Sequence, residues 1–174
     1  MNHIIIRTCL RDDYIASLCY ESFKLAGIEG DYSFLLEVAS NPQGDNLTFD
    51  DGRKVATDIN DYKWIHKDDV NIHTRPYCGN YGGQSGARHF VYSLRNYNFD
   101  DDDIVIIADS DVVVKSNFID ILPENFEHAG VIEELNSGEQ AGYMLTKIDN
   151  FLHVSGQMQI YKGKTIRKIL GVTE

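Results

Sequence analysis

Positive charge is scarce in this 174-residue chain, where 16 Lys and Arg stand against 27 Asp and Glu for a net charge of -11. That balance argues against nucleic acid or an anionic membrane surface as the main partner, since both call for clustered basic residues. An anionic substrate would have to be met by local positive charge or by a metal. Cysteine is sparse as well. Cys9, Cys19 and Cys78 are odd in number and show no metal-type spacing, which excludes a disulfide framework and points to reduced thiols in a cytoplasmic protein. Long apolar runs are missing: Ile4 to Ile6 is too short for a signal-peptide core, and nothing approaches membrane-spanning length. Any work at a membrane would be done from its surface, by a peripheral protein.

What is present is a short apolar block that ends in acids. Ile104-Val105-Ile106-Ile107-Ala108 runs without a polar break into Asp109-Ser110-Asp111. Such a block reads as a strand buried on both faces, the kind found in parallel or mixed sheets covered by helices. Ligands of open α/β sheets bind outside the carboxyl ends of the strands, which puts the Asp-Ser-Asp at the mouth of a site. Asp109 and Asp111 lie two apart at the end of an extended segment, so their side chains are expected to converge on one cation while Ser110 turns away.

Around this block the chain alternates strand and helix. His3 to Cys9 predicts a first strand, followed by a helix opened by Arg11 or Asp12 and stopped by Gly27, with Ile15, Leu18, Cys19 and Ser22 on its inner face. Tyr32 to Ala39 predicts a second strand, parallel to the first, and Val70 to Thr74 a third. Asp51-Gly52 marks a small hairpin. Asn80 to Arg88 is glycine-rich and leads through Ser85 into a helix carrying Phe90, Val91 and Leu94; a helix N-terminus behind such a loop attracts anions. The run Asp100 to Asp103 reads as a solvated turn. Ser116 is expected to cap a short helix carrying Phe118, Ile119 and Leu122. Ala129 to Ile132 and Ser155 to Tyr161 read as strands, Asn136 to Gly142 as a polar loop, and Thr165 as the cap of a last helix with Ile166, Ile169 and Leu170.

Two aspartates at a strand end suit a divalent cation. A diphosphate leaving group gains negative charge as its bond to carbon breaks, and a cation held by few carboxylates stabilises that charge while keeping positions open for phosphate oxygens. Hard oxygen donors favour Mg2+ or Mn2+ over zinc, for which clustered Cys or His would be expected. Two carboxylates about 4 Å apart repel by on the order of 4 kcal/mol at intermediate dielectric, so the pair needs a cation or a basic neighbour.

Asn80, Gly82, Ala87, Arg88, Asp109 and Asp111 together, a buried strand ending in Asp-x-Asp behind a helix that opens on Asn-x-Gly and Ala-Arg, resemble the nucleotide-sugar-dependent glycosyltransferases of the GT-A fold, family 2-like members in particular. The likeness covers about residues 3 to 122 well and the remainder loosely. It implies a single Rossmann-like, three-layer α/β sandwich over residues 1–174, with a mostly parallel mixed sheet, and a hexosyltransferase that moves sugar from a UDP- or GDP-sugar to a hydroxyl acceptor. By the same resemblance Asp109 contacts ribose or metal, Asp111 holds Mn2+ or Mg2+, and Arg7, Thr8 and Arg11 line the nucleoside pocket. Asn80, Gly82, Arg88 and Ser110 join the donor contacts, and Val154 to Met158 matches the family strand beneath the donor sugar and acceptor. Inverting members carry an acidic base on a later segment, for which Glu133, Glu134 and Asp149 are the candidates, and often a C-terminal histidine near the metal, for which His153 is the candidate. Family members are usually longer, so a minimal enzyme, a C-terminally truncated chain and a non-catalytic sugar-binding relative all stay open. Strand-Asp-x-Asp-x-Val also resembles the haloacid dehalogenase phosphatases, in which Asp109 would be the nucleophile, although that family places its motif near the N-terminus.

Overall fold

A computed structural model describes residues 1–28, 32–39, 60, 70–75, 94–95, 97–135 and 151–171, and at residues 11, 36–39, 73, 75, 131–135 and 151–157 the backbone alone. The expected hairpin at Asp51-Gly52, the Asn80 to Arg88 loop with Cys78 before it, the Asn136 to Gly142 loop and Asp149 lie outside the described residues.

Six strands form one sheet: β1 (Asn2–Cys9), β2 (Tyr32–Ala39), β3 (Asn71–Arg75), β4 (Ile104–Asp109), β5 (His128–Leu135) and β6 (Phe151–Lys162). Their spatial order is β3-β2-β1-β4-β6-β5. β1 is flanked in parallel by β2 and β4, β2 by β3, while β6 runs antiparallel to both β4 and β5. The result is the mostly parallel mixed sheet that the sequence predicts. The order reverses between β1 and β4, where the chain leaves one half of the sheet for the other. In open α/β sheets such a reversal opens a crevice at the carboxyl ends of the two strands.

Strand periodicity splits the apolar run of β1 between two layers. Ile4 and Ile6, with Ile106 and Ala108 of β4, pack beneath helix α1 (Asp13–Leu25) against Ala16, Cys19, Tyr20 and Phe23. Ile5, with Val105 and Ile107, faces the other way and meets Ile166 and Leu170 of helix α2 (Gly163–Leu170), together with Leu94 and Phe99. Each of the Ile, Val, Leu and Phe side chains among them contributes about 1.5–3 kcal/mol by leaving water. α1 ends as expected at Gly27, whose φ of +73° is costly for any residue with a Cβ.

Four local expectations are corrected. Ile15 and Leu18 of α1 face outward, while Ser17 is buried together with Cys19 and Ser22, which are on the inner face as expected. The hydroxyls of these serines donate to the carbonyls of Tyr14 and Cys19 one turn back, so each polar group enters the core already satisfied. Ser116 caps nothing: Asn117 Oδ1 accepts the Ile119 N–H, and the segment makes one 3-10 turn over Ile119–Ile121. Thr165 sits inside α2 rather than at its start, and Ile169 is exposed. The helix is begun instead by the acidic turn, since the Gly163 and Lys164 N–H groups donate to the carbonyls of Asp103 and Asp101. A Cβ on Gly163 would lie 1.9 Å from the Asp100 carbonyl oxygen, so only glycine allows this approach.

The fourth correction concerns Asp103, which is 5% exposed although it belongs to the run read as solvated. Its carboxylate accepts from the N-terminal ammonium at 2.5 Å and from the Asp100 N–H at 2.8 Å, and lies 3.4 Å from His3 Nε2. Asp100, Asp101 and Asp102 remain exposed as expected.

Candidate functional site

β4 ends at Asp109, and the chain then turns instead of staying extended. The Val112 N–H donates to the Asp109 carbonyl, closing the turn over Ser110 and Asp111. Two neighbours hold this turn. On one side the Ser110 N–H donates to the Arg7 carbonyl at 2.9 Å, joining the turn to the end of β1. On the other, Ser22 Oγ of α1 accepts the Val114 N–H at 3.0 Å, and Cys19 Sγ reaches the Asp109 carbonyl at 3.7 Å. The acid pair thus stands on a scaffold drawn from β1, β4 and α1.

Register sets Arg7 directly beside Asp109 across the β1–β4 reversal. Their side chains form an ion pair with Arg7 Nη2 2.6 Å from Asp109 Oδ1, at 19% and 30% exposure. Burial nevertheless pushes the Asp109 carboxyl above the ordinary carboxylate range; Arg7 pulls it down, and the nearby charge of Asp111 pushes it up again. Desolvation outweighs the single cation because water has been removed on several sides and Arg7 replaces it on one. Asp111 is exposed and lines an open groove of about 450 Å³ with Val112, Lys115, Ser116, Phe118 and Met158. Met158 comes from β6, where it is paired with Ala108.

Of the other residues singled out from the sequence, Thr8 is buried at the end of β1 with its hydroxyl donating to the Cys9 carbonyl at 3.3 Å. Arg11 follows in the 3-10 turn Leu10–Asp12 that joins β1 to α1, on the same carboxyl side of the sheet as Asp109. Glu133 is paired with His153, and Glu134 with Leu152, in the β5–β6 ladder. β6 passes Ala108 at Met158 and runs antiparallel to β4, so His153, five residues before Met158, stands roughly 17 Å further along, beyond the carboxyl end of β4. The β5–β6 pair therefore extends past the carboxyl end of β4. Asn80, Gly82, Arg88 and Asp149 fall outside the described residues. No cluster of three or more His, Cys, Asp or Glu side chains able to hold a metal occurs among the described residues.

Sequence reasoning did not find the Arg7–Asp109 pair, although the signal was available: two oppositely charged residues each close an apolar β-branched run. It also missed Cys19, whose thiol burial pushes up to about 12, with the charges of Asp111 and Asp109 adding to the effect. A thiol so placed packs under the site and stays protonated.

Among the described residues the fold is a Rossmann-like α/β one, a six-stranded mixed sheet flanked by helices with its crevice at the carboxyl edge. Among solved structures it is similar to the galactosyltransferase LgtC in complex with donor and acceptor sugar analogues, with a TM-score of 0.51 and 12% identity over 95% of this chain and 59% of that one. An active-site mutant of LgtC aligns alike, with a TM-score of 0.52 and 14% identity over 95% and 59% of the two chains. The present chain thus spans about three fifths of the length of these structures. No protein-family model matches the sequence, and no curated protein sequence matches it. Among the described residues no helix is long and apolar enough to cross a membrane.

Proposed function

We propose that this chain is a metal-dependent glycosyltransferase of the hexosyl type, moving a sugar from a UDP- or GDP-sugar to a hydroxyl acceptor with Mn2+ or Mg2+ bound by Asp109 and Asp111. One observation carries the reading: an acid pair stands at the reversal of strand order, beside an open groove, on a fold shared with a galactosyltransferase. The donor set suits a hard dication, because one partly buried and one exposed carboxylate leave positions for phosphate oxygens and water. When bound, the cation offsets the charge that builds on the diphosphate as its bond to the sugar breaks.

The chain's own residues supply the remainder. Asp109, in its raised and desolvated state, gains more from a cation than a solvated carboxylate would. Arg7 adds positive charge on the β1 side, with Thr8 and Arg11 behind and beside it forming the nucleoside wall. Asn80, Gly82 and Arg88 meet the diphosphate from the glycine-rich loop, and Ser110 contributes from within the turn. The groove from Asp111 to Phe118 and Met158 receives the acceptor, whose hydroxyl is activated by Asp149; Glu134 and His153 stand roughly 17 Å or more further along β5 and β6, too far from Asp109 to serve as the base or to join the metal set.

Calorimetry with UDP or GDP in the presence of Mn2+ tests the reading. The intact chain is expected to bind, and Asp111→Ala to bind at least about tenfold more weakly, as for loss of a charged ligand. Absence of nucleotide binding by the intact chain, or binding indifferent to Asp111→Ala, overturns it.

A further inference from the structure

Helix α1 is apolar on two opposite faces. The inner one packs Ala16, Cys19, Tyr20 and Phe23 against the sheet, while Tyr14, Ile15, Leu18 and Leu25 on the outer one are between 42% and 87% exposed. Tyr14, Leu18 and Leu25, with the exposed Glu21 between the last two, recur at alternating steps of four and three residues. At about 100° per residue that spacing draws them into one line along the helix, with Ile15 beside it. Apolar side chains scattered singly over a surface are ordinary, whereas an aligned stripe on a chain of net charge -11 marks a place of contact.

Charge selects what lies on that stripe. Asp13 stands in the first turn of α1 and Lys24 in the last, and the helical period puts both on the same flank of the line. Asp13 Oδ1 accepts the Tyr14 N–H, and Lys24 Nζ lies 5.1 Å from the centre of the Tyr20 ring, so each charge is held close to the helix surface. A second α1 laid antiparallel across a two-fold axis sets Tyr14 against Leu25 and Leu18 against Glu21, and it brings Asp13 to Lys24 twice. It also opposes the two helix dipoles. A parallel pair would instead set Asp13 against Asp13 and Glu21 against Glu21. An anionic membrane surface is a poor occupant as well, because Glu21 stands in the middle of the line and the whole chain is acidic.

We infer that the outer stripe of α1 is a self-complementary interface through which two copies of this chain form an antiparallel two-fold dimer. Such a contact is isologous, the same patch serving both copies, and it closes on itself.

Sedimentation velocity on the full chain, from about 1 to about 200 µM, tests it. The stripe is smaller than a standard interface, so a reversible dimer with a Kd on the order of 10–100 µM is expected. Leu18→Glu, at an exposed position, should weaken association about tenfold or more and leave the melting temperature within about two degrees of wild type. Asp13→Lys and Lys24→Asp should each weaken it several-fold alone, and an equimolar mixture of the two should recover the dimer, because both bridges re-form with reversed polarity. A change in the folding of either chain does not produce recovery on mixing. If a charge variant fails to fold, Leu25→Glu reads the same contact beside Leu18→Glu. A chain that stays monomeric at about 200 µM overturns the inference, and so does a dimer that is indifferent to Leu18→Glu or that fails to recover on mixing.

Discussion

Asp103 and Asp109 bracket the same strand, six residues apart, and each faces a basic residue of β1: His3 at one end, Arg7 at the other. Folding buries Asp103 and partly buries Asp109, with opposite outcomes. At the amino end burial works to raise the Asp103 carboxyl, but the N-terminal ammonium and the Asp100 N–H outweigh it and hold the group below the ordinary carboxylate range. At the carboxyl end burial wins over Arg7, and Asp109 is raised. His3, for its part, is held below its usual range by burial in spite of Asp103, so the ammonium is the main cationic partner of that carboxylate. One acid has its charge satisfied inside the protein. The other is raised by burial in spite of its ion pair with Arg7, the kind of perturbation that clusters at functional sites.

The sharpest way to break this comparison is to neutralise each acid in turn. Asp109→Asn should lower metal-dependent nucleotide affinity by about a hundredfold, the upper end for a lost metal-site contact, while the metal-free chain melts no lower than wild type. A marked fall in melting temperature would make Asp109 a structural acid like its counterpart. Ile106, fully buried between the two ends, serves both: Ile106→Ala should cost about 2–5 kcal/mol in denaturant unfolding, and a loss below 1 kcal/mol would mean that the strand does not couple them. Asp103→Asn should leave nucleotide binding within about twofold of wild type but cost about 1–3 kcal/mol of stability, several degrees in melting temperature.

The smallest effect is on pH dependence, and its sign differs between the ends. Asp103 has a lowered folded pKa, so its contribution to stability is present above the ordinary value of 3.8 and is lost as pH falls through the folded value. Asp109 has a raised one, so its contribution is present below 3.8 and is lost as pH rises through the folded value. Melting curves across acid pH should therefore show Asp103→Asn flattening the acid limb, and Asp109→Asn removing a decline on the neutral side of 3.8. Equal behaviour of the two variants would erase the distinction.

Much of the frame was legible beforehand. β2 was read at its observed bounds of Tyr32–Ala39, β4 came from five uninterrupted apolar residues, and the end of α1 came from Gly27. The phase of α1 was legible only in part: Cys19 and Ser22 face inward as read, but Ile15 and Leu18 look more like core than Ser17 does. Which stripe turns inward depends on what lies opposite, and a serine that satisfies its own hydroxyl within the helix is buried at little cost. The last helix misled in a similar way: a threonine near its start looked like a cap, yet the neighbouring acidic turn already supplied acceptors for the first N–H groups.

At the site the division is cleaner. The alternation of strand and helix, the buried block and the acids that terminate it follow from local pattern, since apolar periodicity and chain direction are enough to put Asp109 and Asp111 at a carboxyl edge. That Arg7 would stand against Asp109, that Asp103 alone of four consecutive aspartates would be buried, and that the two acids of one strand would titrate in opposite directions, only the tertiary structure decided. Register between strands distant in sequence sets which charges meet and how much water each loses, and neither quantity is carried by a residue's immediate neighbours in the chain.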